Sequence, residues 1–127
     1  TESLESSVSF IGPIYGETKL AALSRADVFA LTSYGEGFSV ALLEALAASV
    51  PLIISRECHF PEVAQSGAGV EINLVPQEFA MALTQVVGNS SLLANMGSNA
   101  RAMATGPYSW NSVGIAFKEV YERISER

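Results

Sequence analysis

Four short segments in the first half of this chain read as strands: Val8 to Ile11, Asp27 to Leu31, Pro51 to Ile54 and Gly69 to Leu74. The second reads Val28-Phe29-Ala30-Leu31, with no polar residue alternating through it. A strand wet on one face alternates polar and apolar residues, whereas a continuously apolar strand suits a parallel sheet covered on both sides. Gly12-Pro13 is expected to end the first run. Helical stretches separate the others. Thr18 to Arg25 carries Leu20 and Leu23 three apart on its inner face. Phe38 or Ser39 to Ala48 forms the next helix, and Phe60 to Gln65 a shorter one, with Pro61 at a position tolerated early in a helix. Pro76 to Val87 and Ser90 to Met103 follow. Ser109 is predicted to cap a last helix reaching about Ser125, on which Val113, Phe117, Val120, Tyr121 and Ile124 make an apolar stripe. Residues 1–7 are a polar, serine-rich lead-in, expected to fray. Strand-helix alternation predicts a doubly wound α/β sheet with right-handed crossovers, in one domain.

Composition narrows the chemistry. At 127 residues, 49% hydrophobic and 16% charged, the chain can bury a core and is not disordered. Its net charge is −6 and no run of lysine or arginine occurs, which argues against nucleic-acid binding. Cys58 is the single cysteine, so no internal disulfide forms and nothing points to an oxidising compartment. The longest apolar stretch, Val40 to Ala48, contains Glu44 and is too short to span a bilayer. A cytoplasmic location is the default expectation, with work at a membrane surface kept open.

The segment with most chemical content is Tyr34-Gly35-Glu36-Gly37-Phe38-Ser39-Val40-Ala41-Leu42-Leu43-Glu44-Ala45. It follows the carboxyl end of the Asp27–Leu31 strand, where open α/β sheets place their ligands. Gly35 and Gly37 are expected to allow special backbone conformations and a close ligand approach. The amides of Gly37, Phe38 and Ser39 stand at a helix start, whose partial positive charge favours an anion. Ser39 can cap the helix or donate to phosphate. Glu36, just outside the helix, can accept from sugar hydroxyls. Glu44 lies about one and a half turns inside, and its side chain leans back toward the helix start. With 12 glutamates in the chain, a pair eight apart arises about once by chance, so the residues between carry the weight. Glycines before a helix are also ordinary turn chemistry, and Glu36 is favourable at a helix start without a ligand. Glu44, however, sits among Ala41, Leu42, Leu43, Ala45, Leu46, Ala47 and Ala48, where a buried charge needs a partner.

Together with Val8-Ser9-Phe10-Ile11-Gly12, Ala26-Asp27-Val28-Phe29, Ser33, Pro51, Phe60-Pro61-Glu62-Val63, Ser109-Trp110 and Glu119-Val120-Tyr121, this segment resembles the donor-binding domain of the retaining GT-B glycosyltransferases of group 1. The resemblance covers nearly the whole chain. It implies a Rossmann-like parallel sheet, the partial C-terminal half of a GT-B fold. It also implies a hexose-type sugar transferred from a nucleotide-diphosphate sugar to a glycan, lipid or small-molecule acceptor, as in polysaccharide biosynthesis. Glu36 is implied as the catalytic-site glutamate that binds hydroxyls of the transferred sugar. Gly37, Phe38 and Ser39 are implied as the turn that contacts the donor sugar and diphosphate. Glu44 is implied as the glutamate on the nucleotide ribose. No metal or other cofactor is implied. The last helix is implied to pack back toward the acceptor domain, through Trp110 and Phe117.

Several positions depart from the family pattern. Thr32 stands where proline is usual, Ser39 where glycine is commonest, and Ser49 where glycine precedes Val50-Pro51. Nothing before Val8 matches the family's opening strand, glycine-bearing turn and basic pair, and Lys19, Arg25 and Arg56 lie off the motif. Residues 1–127 are therefore read as one truncated donor-binding domain, inactive alone, whose N-terminal acceptor domain lies elsewhere on the same or a separate chain. A non-catalytic nucleotide-sugar-binding or partner-completing module, and a GT-B nucleotide-sugar epimerase, are the alternatives. Cys58 and His59 lack further ligands for a metal. His59 reads as a loop residue, Glu62 as a helix starter, and Trp110 and Tyr121 as packing residues. No histidine-acid arrangement supports the serines as hydrolase nucleophiles.

Overall fold

The computed structural model describes residues 4–126. The expected lead-in, residues 1–7, lies partly outside them; within them, Ser7 and Val8 donate their amides to the Leu4 carbonyl. The elements run α1 (Gly16–Arg25), β1 (Phe29–Leu31), α2 (Val40–Ala47), β2 (Leu52–Ser55), a 3₁₀ turn (Arg56–Cys58), α3 (Glu62–Gln65), β3 (Gly69–Ile72), α4 (Pro76–Val87), α5 (Ser90–Thr105) and α6 (Trp110–Ser125). The three strands form one parallel sheet in the order β1-β2-β3. Phe29 pairs with Leu52 and Leu31 with Ile54; Leu52 pairs with Gly69 and Ser55 with Ile72.

Strand β2 is central and wholly buried, which is what its unbroken Leu-Ile-Ile run requires. Its side chains alternate between two cores. Leu52 and Ile54 join Leu42, Ala45 and Leu46 of α2, Val63 of α3, and Ala100 and Met103 of α5 on one face. Ile53 joins Ile72 and Ala82 on the other, with Phe79 of α4. The result is three layers, with α2 and α5 on one side of the sheet and α4 on the other. Strand β1 is the less covered edge, and Ala30 is exposed beside a hollow of about 370 Å³ lined by Thr32, Ile72 and Phe79.

Two expectations fail here. Val8 to Ile11 is not a strand: Phe10 is 97% exposed and Ile11 68%. A strand needs a neighbour to take its backbone hydrogen bonds, and this segment finds none among the described residues. The outer edge of β1 is likewise unpaired among them. Leu20 is also exposed, so α1 buries Leu23 alone. Helix α4 begins and ends as predicted, with Pro76 at its first turn. Helix α6 is capped as predicted, the Ser109 hydroxyl accepting from the Ser112 amide at 3.2 Å. Its apolar stripe, however, buries nothing.

Candidate functional site

The segment of residues 32–39 leaves the carboxyl end of β1 and delivers the chain to α2. It is held from the next strand. The Ser55 hydroxyl, fully buried at the end of β2, donates to the Ser33 carbonyl at 2.6 Å and accepts from the Ser33 amide at 3.0 Å. The Glu36 amide donates to the Glu57 carbonyl at 3.1 Å. Within the turn, the Ser33 hydroxyl meets both the amide and the carbonyl of Gly35. At the far end, the Phe38 ring lies 5.7 Å from the Phe60 ring and 6.2 Å from that of Tyr108, while Phe60 and Tyr108 meet edge to face at 5.2 Å. Burial raises the Tyr108 phenol above its ordinary pKa, and the nearby Glu62 charge adds to that. Glu57 Oε2 is buried with no hydrogen-bond partner among the described residues.

What this turn leaves unclaimed is chemically specific. Among the described residues, the amides of Gly37, Phe38 and Ser39 donate to no protein acceptor. Ser39 sits at the cap position of α2 in extended conformation, but its hydroxyl does not cap the helix. Free amides and a free hydroxyl at a helix start form a ready anion cradle. Gly35 and Gly37 contribute in only one of the two expected ways. Neither adopts positive φ, so no strained backbone requires them. A Cβ on either would meet nothing within 4 Å, so they keep the space beside the backbone open.

Glu36 is half-buried, and none of the described hydrogen bonds involves its carboxylate. Glu44 is half-buried too, and the partner its apolar helix demands is Lys19 of α1, whose ammonium donates to Glu44 Oε1 at 2.6 Å. Lys19 thus lies off the family's motif and yet meets its second glutamate. The available signal was its spacing: Lys19 lies four residues before Leu23, the one buried residue of α1, and so shares its face. Both partners keep side chains 35% exposed, which places the pair among surface ion pairs worth about 0–1 kcal/mol. Such a weak bond leaves the Glu44 carboxylate available to a ligand. Glu44 and Phe38 also line one apolar cavity of about 890 Å³ with Val40, Leu43, Tyr108 and Trp110; Glu36 does not line it.

The other singled-out residues divide clearly. Cys58 is buried, its thiol 3.5 Å from both Ser55 Oγ and the Leu31 carbonyl. His59 is an exposed residue at φ 51°, ending the 3₁₀ turn. Among the described residues no cluster of His, Cys, Asp and Glu could hold a metal ion, and no helix is long and apolar enough to cross a membrane. Glu62 opens α3 as expected. Trp110 and Tyr121 do not pack against the described residues: they are 92% and 67% exposed.

Residues 1–103 match the family model described as glycosyl transferases group 1. The chain belongs to this glycosyltransferase family. It is 31% identical over 114 residues to the MMP alpha-(1->4)-mannosyltransferase of Mycolicibacterium hassiacum, covering 87% of this chain and 28% of that protein. The chain thus spans less than a third of the length of that curated relative. The C-terminal domain of a group 1 glycosyltransferase, LpcC from Francisella tularensis, superposes with a TM-score of 0.68 at 26% identity, over 80% of this chain and 53% of that one. Sucrose-phosphate synthase from Thermosynechococcus elongatus shares the fold at a TM-score of 0.83 and 22% identity, over 97% of this chain and 31% of that one. The expected GT-B glycosyltransferase C-terminal fold is therefore the fold of this group 1 glycosyltransferase chain.

Proposed function

We propose that this chain is the donor-binding part of a retaining glycosyltransferase that moves a hexose-type sugar from a nucleotide-diphosphate sugar to a glycan, lipid or small-molecule acceptor. The observation that carries the reading is the unclaimed anion cradle of Gly37, Phe38 and Ser39, with a half-buried glutamate before it and another on the helix it opens. The amides and the Ser39 hydroxyl take the diphosphate, whose negative charge grows as the sugar leaves. Fixed donors aimed at developing charge are often the largest contribution to catalysis. Glu36 accepts from hydroxyls of the transferred sugar and orients it. Glu44 accepts from the ribose hydroxyls, with Lys19 shifting to admit them. The acceptor comes from the N-terminal domain, so turnover belongs to the assembled two-domain protein. The family membership and the shared C-terminal fold support this division of labour.

The test uses the full-length protein with a panel of nucleotide-diphosphate sugars. Hydrogen bonds to a charged group contribute roughly 1.5–3 kcal/mol. Glu44→Ala is therefore expected to weaken donor binding by about tenfold to a hundredfold, measured by calorimetry. Glu36→Gln is expected to lower kcat more than it weakens binding. Donor affinity and turnover left intact by both substitutions would sink the assignment.

A further inference from the structure

We propose that Ser55 is a positioning residue for sugar transfer: from the end of β2, its buried hydroxyl sets the place of the turn that carries Glu36 and the anion-binding amides. The inference rests on the donor-binding reading above. A serine hydroxyl has one proton and two lone pairs. The proton goes to the Ser33 carbonyl, 2.6 Å away, and one lone pair receives the Ser33 amide at 3.0 Å. One atom thus satisfies both backbone groups of the first turn residue after Thr32. The Cys58 thiol, 3.5 Å from Ser55 Oγ, closes the arrangement, and it also stands 3.5 Å from the Leu31 carbonyl at the end of β1.

The placement explains why a polar residue ends an otherwise apolar strand. Ser55 is fully buried and follows Leu52-Ile53-Ile54, where an aliphatic side chain would suit the core better. Its hydroxyl is retained in that setting only because it has backbone partners to satisfy. Those partners belong to the loop, not to the ladder: β1 ends at Leu31, and its pairing with β2 ends at Ile54. Beyond that point the hydroxyl does what another ladder rung cannot. It lets the β1 chain turn away while fixing where it turns. Two residues later Glu57 takes the Glu36 amide at 3.1 Å, so the β2 end grips the turn at its start and at its glutamate. Misplacing a binding group by about 1 Å can cost up to a hundredfold in rate, so an atom that fixes this turn acts on turnover without touching substrate.

The test uses the full-length protein and needs no variant in its first arm. Hydrogen exchange of the wild-type protein should show the Ser33 and Glu36 amides protected relative to those of Gly37 and Phe38. Equal exchange would overturn the clamp, even if Ser55 variants fail to fold. In the second arm, Ser55→Ala should lower kcat about tenfold or more while changing donor KM less. Ser55→Thr, which keeps the hydroxyl, should recover most of that loss. Ile53→Val, which trims the core on the other face of the same strand, should lower thermal stability with kcat unchanged. Wild-type turnover in Ser55→Ala, or a kcat loss in Ile53→Val matching its loss of stability, would overturn the positioning role. The donor-binding reading fails separately: it falls if Glu36→Gln and Glu44→Ala are silent. Only the Ser55 proposal falls if those two are impaired and Ser55→Ala is not.

Discussion

Helices α5 and α6 are each 16 residues long and each starts at a residue whose side chain accepts from a backbone amide three positions on, Asn89 for one and Ser109 for the other. They end in opposite environments. Helix α5 buries Met96, Gly97, Ala100 and Met103 against the α2 side of the sheet. Helix α6 buries nothing, and Phe117, Val120, Tyr121 and Ile124 stand in the open. Both carry apolar residues at helical spacing, so pattern alone does not separate them. The difference is one of contact size. Small residues let α5 approach its neighbours closely, and the Gly97 Cα faces the Ser49 carbonyl directly. The large side chains of α6 need a broad partner surface. A contiguous exposed apolar stripe of that kind marks an interaction face, and we propose that in the two-domain enzyme it turns to the acceptor domain.

The largest expected effect breaks the buried member. A Cβ on Gly97 would come within 2.7 Å of the Ser49 carbonyl oxygen, and backbone cannot swing aside as a flexible side chain can. Gly97→Val should therefore cost about 3 kcal/mol. That corresponds to a fall in Tm of roughly 10 °C, readable by thermal denaturation of the chain. A Tm within a degree or two of wild type would show that α5 is not docked as described.

The second acts on the other side of the same contact. Ser49 holds φ 63°, a left-handed conformation, at the position where the family pattern has glycine. For a residue with a side chain this costs about 1–2 kcal/mol. Glycine removes that cost but gives back about 0.4–1 kcal/mol through a freer unfolded chain. Ser49→Gly should raise stability by about 0.5 kcal/mol net, measured by urea unfolding. A loss of stability would mean that the Ser49 side chain contributes more than its strain costs.

The third sharpens the exposed member. Phe117→Ser should leave the stability of the 127-residue chain within about 0.5 kcal/mol of wild type, as surface substitutions do. In the full-length protein the same change should be destabilising. Equal effects in both would remove the distinction between the two helices.

The smallest effect supplies a surface reference on α4. The Glu78 carboxylate accepts from the Asn73 side-chain amide at 3.0 and 3.1 Å and from its backbone amide at 2.8 Å. The side-chain bond first, then the backbone bond, holds its pKa below the ordinary carboxylate value. A carboxylate depressed in the folded state stabilises at neutral pH, and that contribution disappears as pH falls through its folded pKa. The Tm gap between wild type and Glu78→Gln should be small at neutral pH and should close as pH falls through the depressed carboxylate pKa. A gap that widens on acidification would mean that the carboxylate is not held by Asn73.

Most of the layer architecture was legible because it depends on local signals. The unbroken apolar run of β2 predicts a strand buried on both faces, and Pro76 and Ser109 mark helix starts by their backbone chemistry. What escaped depends on neighbours distant in sequence. Val8 to Ile11 has strand composition, but composition cannot supply the adjacent strand that would accept its hydrogen bonds. The need of Glu44 for a partner was readable from its apolar helix. That Lys19, 25 residues earlier, meets it depends on how α1 lies across α2. Gly35 and Gly37 suggested unusual dihedrals, whereas the structure uses them only for room. Ser55 carries no signal in the sequence because a lone serine at a strand end has no pattern; its role appears only once Ser33 stands beside it.

The unpaired side of β1 has a practical consequence for anyone who purifies this chain. The Phe29 amide turns inward to the Pro51 carbonyl at 2.9 Å, but no described strand pairs with the outer edge of β1, where Ala30 is exposed. Such an edge is a template on which a second copy can add its own strand. Self-association that grows with concentration, and that subsides when a charged residue replaces Ala30, is the behaviour to watch for in concentrated samples.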